Sequence, residues 1–156
     1  MKKSTLRTLI IEELRRELSR QAAAAELARN EAISEESQPE NKWDTHSQEA
    51  AYLAEGQARQ VTEVKSSLEA YAALSLPDLG AEDPVALGAL VELEAAGRRN
   101  LYFVGPRSGG LEIEAEGRKV LVVTPSSPLG RQLIGRRLGD LVAPGAGGSQ
   151  KIIAIT

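Results

Sequence analysis

Apolar positions in the first half of the chain recur every three or four residues, and in the second half they fall in short runs, several of which alternate. The change of period predicts helices first and strands afterwards. From about Thr5 to Ile33 there is no Gly or Pro, and Ala, Leu, Glu and Arg dominate. These are the strongest helix formers. Leu6, Ile10, Leu14 and Leu18 recur every four residues, and Ala22 and Ala25 extend a narrow stripe. Glu12, Arg16, Glu17 and Arg20 fall on the solvated faces, and Ser4 or Thr5 supplies a cap. From about Glu40 to Leu74, the positions Ala54, Ala58, Val61, Val64, Leu68, Tyr71 and Leu74 alternate by three and four, the spacing of a coiled-coil seam. Ser37, followed three residues later by Glu40, makes a capping box, with Pro39 tolerated in the first turn. Two helices of about thirty residues, joined by a turn between Ile33 and Glu40, form an antiparallel hairpin roughly 45 Å long.

Leu76 to Pro84 holds two Pro and a Gly and reads as a linker. After it come short β-rich runs: ALVELEA, NLYFVG, LEIEAEG, KVLVVTP and QKIIAIT. Gly97, Gly105, Gly109, Gly110 and Gly117 punctuate them. Between the last two runs, Ser127 and Pro128 open a short helix that Gly135 can stop with a positive φ. Leu129, Leu133 and Ile134 would pack on the sheet. The predicted fold is α+β. A two-helix antiparallel coiled coil fills residues 1–76, a linker 77–84, and a small antiparallel sheet domain with one short helix 85–156.

Composition narrows the function. The chain has 156 residues, a net charge of −3, no Cys and one His. A disulfide framework and a thiolate metal site are excluded, and any metal would need oxygen ligands, as Mg²⁺ or Mn²⁺ accepts. Glu12, Glu13, Arg15 and Arg16 break the apolar start too early for a signal peptide, and no segment is long enough to span a bilayer. The reading is a soluble cytoplasmic protein. From residue 77 onward acids and bases balance, so the excess of acid lies in the helical half.

That acid gathers at the turn, in SEESQPENKWDTHSQEA. The segment at 34–49 has Glu35, Glu36, Glu40, Asp44 and Glu49 against Lys42, with the only Trp (Trp43) and the only His (His46). It is either a solvated turn or a functional tip. No Gly-x-Ser-x-Gly, P-loop or metalloprotease helix motif occurs, so a self-sufficient enzyme is disfavoured.

The stretch TPSSPLGRQLIGRRLGDLV resembles the C-terminal domain of the bacterial Gre-type transcript-cleavage factors (GreA and GreB). Ser127, Pro128, Leu129, Gly130, Arg131, Leu133, Ile134, Gly135, Arg136, Gly139 and Asp140 follow the family's order, with Arg136 where Lys is usual. NLYFVGP is similar to the family's strand ending in Val-Gly. The resemblance covers almost the whole chain and implies an FKBP-like sheet domain behind the hairpin. It further implies a monomer that binds bacterial RNA polymerase. The hairpin would enter the secondary channel and assist cleavage of the backtracked RNA 3′ end. On this reading the chain has no cofactor of its own and works with Mg²⁺ at the polymerase active site.

Residue by residue, the family's Asp-x-x-Glu at the start of helix two falls on Glu40 and Trp43, with Asp44 one position on. Glu40 and Asp44, at i and i+4, lie on one helix face and are the implied catalytic and metal-binding pair. Glu40 also has a reading as a capping residue. Trp43 is either a polymerase contact or packs over the turn. His46 either meets Asp44 or a phosphate, or is an ordinary surface residue. Arg131, Arg136 and Arg137 are implied polymerase-facing charges. The altered pair keeps open a Gre-shaped regulator that fills the channel and inhibits. A prolyl isomerase or protein-binding module is the weaker alternative, because Tyr102 and Phe103 are the only aromatics available to line a cleft there.

Overall fold

A computed structural model of the chain describes residues 1–33, 46–143, 145 and 148–156. The elements are α1 (Lys3–Ile33), α2 (His46–Ala73), β1 (Leu90–Ala95), β2 (Arg98–Val104), β3 (Glu112–Ala115), β4 (Arg118–Val123), α3 (Pro128–Leu133), β5 (Leu141–Val142) and β6 (Gln150–Ile155). The fold is α+β, two long helices followed by a six-stranded sheet with one short helix. The Ser37–Glu40 capping box and the turn lie outside the described residues. No described helix is long and apolar enough to cross a membrane. The chain divides into two compact units, residues 12–69 and residues 1–11 with 70–156.

Residues 12–69 hold most of both helices. Leu14 and Ala28 are buried in α1, and Ser67 in α2. The predicted stripe is right at its start and drifts later. A strict step of four residues gains about 40° each time on a helix of 3.6 residues per turn, so it leaves the contact face. In α1, Ala22 is exposed, while Ala24 and Ala25 are half-buried on the way to Ala28. Because the seam is built from alanine, an open groove of about 680 Å³ runs between Ala22, Ala25, Ile33, Ala54, Ala58 and Val61. On the solvent side, Arg20 pairs with Glu13 at 3.2 Å and Glu17 at 2.6 Å. Hydrogen bonds from Gln21 and then Arg20 hold the Glu17 carboxyl below its ordinary range.

Gly56 lies inside α2, where an added Cβ would meet only Arg59, at 3.9 Å. Nothing in the packing calls for glycine there, and glycine in a helix interior is costly. Gly56→Ala is expected to stabilise the chain by about 0.5–1 kcal/mol, read as a higher urea midpoint with an unchanged slope.

The other unit is built on the sheet, in the order β3-β4-β2-β1-β6-β5. The alternating runs predict an antiparallel sheet, and one pair departs from it: β2 and β4 run parallel. The cause is the β3–β4 hairpin. β3 takes the outer edge, and its tight return slots β4 beside β2 in the same direction. β5, only two residues long, is the strand that periodicity could not show.

Cross-strand partners share a face. Val91, Tyr102 and Leu121 therefore face one side, and Leu90, Phe103 and Val122 the other. Leu133 of α3 is fully buried with Val91, Leu93, Val104 and Ile152 in the first core. Helix ends lie at the second. A Cβ placed on Gly105 would fall 2.1 Å from the Tyr71 hydroxyl and 3.0 Å from Val122, so the Tyr71 ring lies along that face. Leu6, Ile10 and Tyr71 are fully buried. Tyr71 Oη donates to the Arg107 carbonyl at 2.9 Å, Arg7 Nη1 to the Leu74 carbonyl at 3.0 Å, and Lys3 Nζ to the Pro77 carbonyl. Glu92 points to the same face and is satisfied by Arg118 at 2.6 Å.

Burial pushes the Tyr71 hydroxyl well above its ordinary value of 10.0. The fold favours the neutral phenol, so the unfolded chain loses that proton first as pH rises. Stability should therefore decline above about pH 10. Tyr71→Phe is expected to cost about 1 kcal/mol at neutral pH through the lost hydrogen bond and to flatten the alkaline decline. Urea midpoints at neutral pH and above pH 10 check both effects.

Candidate functional site

The best-defined chemistry sits around α3, and local sequence explains its shape. Ser127 has an extended backbone, with φ −69° and ψ 157°, and its Oγ accepts from Gly130 N at 3.0 Å. The same hydroxyl donates to the Thr124 carbonyl at 2.8 Å, tying the cap to the end of β4. Pro128 fills the first helical position, where a missing N–H costs nothing. Gly130 is buried so closely that a Cβ would lie 1.8 Å from the Thr124 carbonyl oxygen. Gly135 carries φ +80°, the left-handed turn expected of a helix stop. Its N–H donates to the Val85 carbonyl at 2.8 Å, and Val85 N donates back to Arg136 at 2.7 Å.

This cap delivers Arg131, Arg136 and Arg137 to one exposed stretch. Arg136 Nε donates to the Gln132 carbonyl at 3.3 Å, and Arg137 Nη1 donates to the Glu82 carbonyl. Asp140 Oδ2 accepts from Arg137 N at 2.9 Å, which fixes the turn. Leu129 and Leu133 pack on the sheet as expected, but Ile134 does not: it is 40 % exposed. One turn places Leu129 and Leu133 on the same helix face, and the next residue, Ile134, is rotated away from it.

Glu40, Trp43 and Asp44 lie outside the described residues, as do Glu35 and Glu36. His46 is the first described residue of α2, and Glu49 is exposed in its first turn. Among the described residues no group of His, Asp and Glu is placed to hold a metal ion. The acidic residues of the 34–49 segment carry carboxylates, a donor type that suits Mg²⁺.

The first face of the sheet carries an open cleft of about 540 Å³, bordered by Tyr102, Leu121, Thr124, Pro128 and Leu129. Tyr102 is the aromatic side chain that borders it among the described residues, since Phe103 is fully buried and faces the opposite way. The tight Gly130–Thr124 contact and the outward Ile134 were not legible in the sequence. A small residue in a six-residue helix was the available signal for the first.

No family model matches the chain, and no curated protein matches it. Solved structures do. The chain is similar to GreA factor homolog 1 (Gfh1) of Thermus thermophilus, with 19% identity over 94% of each chain and a TM-score of 0.38. It is also similar to a structure of the transcription factor Gfh1, with 19% identity over 93% of this chain and 92% of that one, at a TM-score of 0.38. Gfh1 of Thermus aquaticus gives 22% identity over 92% of both chains and a TM-score of 0.36. At these values the likeness assigns no activity.

Proposed function

We propose that this chain is a Gre-type accessory factor of bacterial RNA polymerase. In this reading it works in the cytoplasm as a monomer, inserts its hairpin tip into the secondary channel, and stimulates the polymerase's own cleavage of backtracked RNA. It is an assistant to an enzyme, with no cofactor of its own. The division into a hairpin at 1–76, a linker at 77–84 and a sheet domain at 85–156 belongs to the same proposal.

The observation that carries the reading is the run from Ser127 to Asp140. Its order resembles the family's motif, and each chemically special position has a physical use in the fold: the Ser127 cap, the Gly130 contact and the Gly135 turn. Two long helices preceding such a sheet add support.

Attachment and activity are assigned to different places. Arg131, Arg136 and Arg137 would hold the polymerase. Glu40 and Asp44 would offer carboxylate oxygens, and Mg²⁺ at the polymerase active site would supply the Lewis acidity that phosphodiester hydrolysis needs. Two carboxylates on one helix face do not form a cage, so the chain alone should hold Mg²⁺ poorly. Trp43 and His46 are assigned as contacts beside them. The test is competition: the chain should displace a known channel-binding factor from purified polymerase, and failure to displace it sinks the reading. The Glu-x-x-x-Asp spacing favours one second reading, a factor that fills the channel and inhibits. It predicts displacement without cleavage.

A further inference from the structure

The groove of about 680 Å³ in the unit of residues 12–69 is lined by Ala22 and Ala25 of α1 and by Ala54, Ala58 and Val61 of α2. Alanines at these positions leave space that larger side chains would fill. Ile33 also borders the groove, yet it is 66 % exposed. Each hairpin thus carries a hollow floored by alanine and, at its end, a large aliphatic side chain left in water. Ala22, Glu26, Arg29 and Ile33 are spaced by four, three and four residues, the spacing of a coiled-coil seam. At 100° per residue they fall within about 60° of one another around α1. All four line the groove, so they form a second seam beside the face that buries Ala28. Glu26 and Arg29 are exposed, and neither makes an ion pair among the described residues. Elsewhere on these helices such charges close within one helix: Arg20 with Glu13 and Glu17, and Arg59 with Glu55 at 3.0 Å. Arg15, Glu31 and Lys65, which neighbour the groove in sequence, do not line it.

We propose that this groove receives a second copy of the chain, with the two α1 helices antiparallel about a two-fold axis level with Leu27 and Ala28. Ile33 of one copy then lies over Ala22 of the other, and Glu26 of one meets Arg29 of the other. Each contact occurs twice, as a two-fold interface requires. The aliphatic side chain covers the hollow that alanine leaves, and the charges left open within one chain close between two. An unrelated helix could supply an apolar ridge. It would not explain why one chain carries both halves of each contact at equal distances from the axis. A nucleic acid fits less well, because the groove sets one carboxylate against one guanidinium and offers no positive excess to phosphates. The paired stretch, residues 22–33, is only roughly 18 Å long. The interface is therefore small, and pairing is expected at roughly tens of micromolar. A hairpin paired in this way cannot also enter a narrow channel. Within the proposed function the dimer is an idle form that polymerase binding dissolves, and only that consequence rests on the polymerase reading.

Sedimentation equilibrium of the full-length chain, over roughly 5–500 µM and at low salt, tests the pairing. Wild type should pass from monomer to dimer across that range. Ile33→Ser is expected to weaken pairing about tenfold. Glu26→Arg and Arg29→Glu should each abolish it, because each sets like charges against one another. An equimolar mixture of those two variants should pair again, since each supplies the charge that the other lacks. Leu27→Ser, at a residue 72 % exposed but off the groove, should pair like wild type. Circular dichroism reports whether each variant keeps its helices. A wild-type chain that stays monomeric throughout overturns the proposal. If Ile33→Ser then weakens binding to purified polymerase, the groove serves that partner instead. Pairing lost in Leu27→Ser but kept in Ile33→Ser places the contact on another face and overturns the proposal too. So does a mixture of the two charge variants that stays monomeric while wild type pairs. Failure of the polymerase reading would leave all the sedimentation results unchanged.

Discussion

Gly130→Ala is expected to destabilise the sheet unit by about 3 kcal/mol or more, among the largest effects of any single methyl group in this chain. The added carbon would sit 1.8 Å from the Thr124 carbonyl oxygen, which is backbone and belongs to the turn leaving β4. Relief requires α3 to move outward. That movement breaks the 3.0 Å cap between Ser127 Oγ and Gly130 N and withdraws fully buried Leu133 from the core. Ser127→Ala removes the cap alone and should cost about 1 kcal/mol. Urea unfolding followed by circular dichroism separates the two. Equal, small effects from both substitutions would mean that the α3 contact is looser than described.

Asp44→Asn should leave fold and channel occupancy intact and lower stimulated RNA cleavage roughly ten- to thousandfold, because it removes a charge that matters only beside the metal. Glu40→Gln should act likewise, with a further loss of about 1 kcal/mol in hairpin stability if Glu40 closes the capping box. Trp43→Ala should reduce affinity and cleavage together. If both carboxylate variants cleave like wild type, Glu35, Glu36 and Glu49 become the candidates for the tip.

Local chemistry decides how much of the molecule could be read in advance. The two helices were legible because their period runs over many turns, and the α1 stripe drifted because a step of four is not a step of 3.6. Five strands were legible as short β-rich runs, several of them alternating, whereas Leu141–Val142 is too short to show a pattern and is defined by its pairing with β6. The parallel β2–β4 pair follows from where the β3 hairpin folds back, which no local pattern encodes. Contacts such as Tyr71 with Arg107 join residues far apart in sequence and have no signature of their own. In the candidate site, the cap of α3 was legible because serine, proline and glycine each act within a few residues. The outward Ile134 was not, since it reads like a core residue until the helix face is known. The acidic segment 34–49 stands out in composition alone, and residues 34–45 lie outside the described residues.

Adding the purified chain to backtracked elongation complexes with Mg²⁺ and following the labelled RNA tests the proposed function. Shortening of the RNA, faster than polymerase achieves alone and lost in Asp44→Asn, is the predicted result. A chain that occupies the channel, as shown by displacement of a known factor, yet leaves the RNA at its original length would contradict the cleavage reading and assign this protein to inhibition.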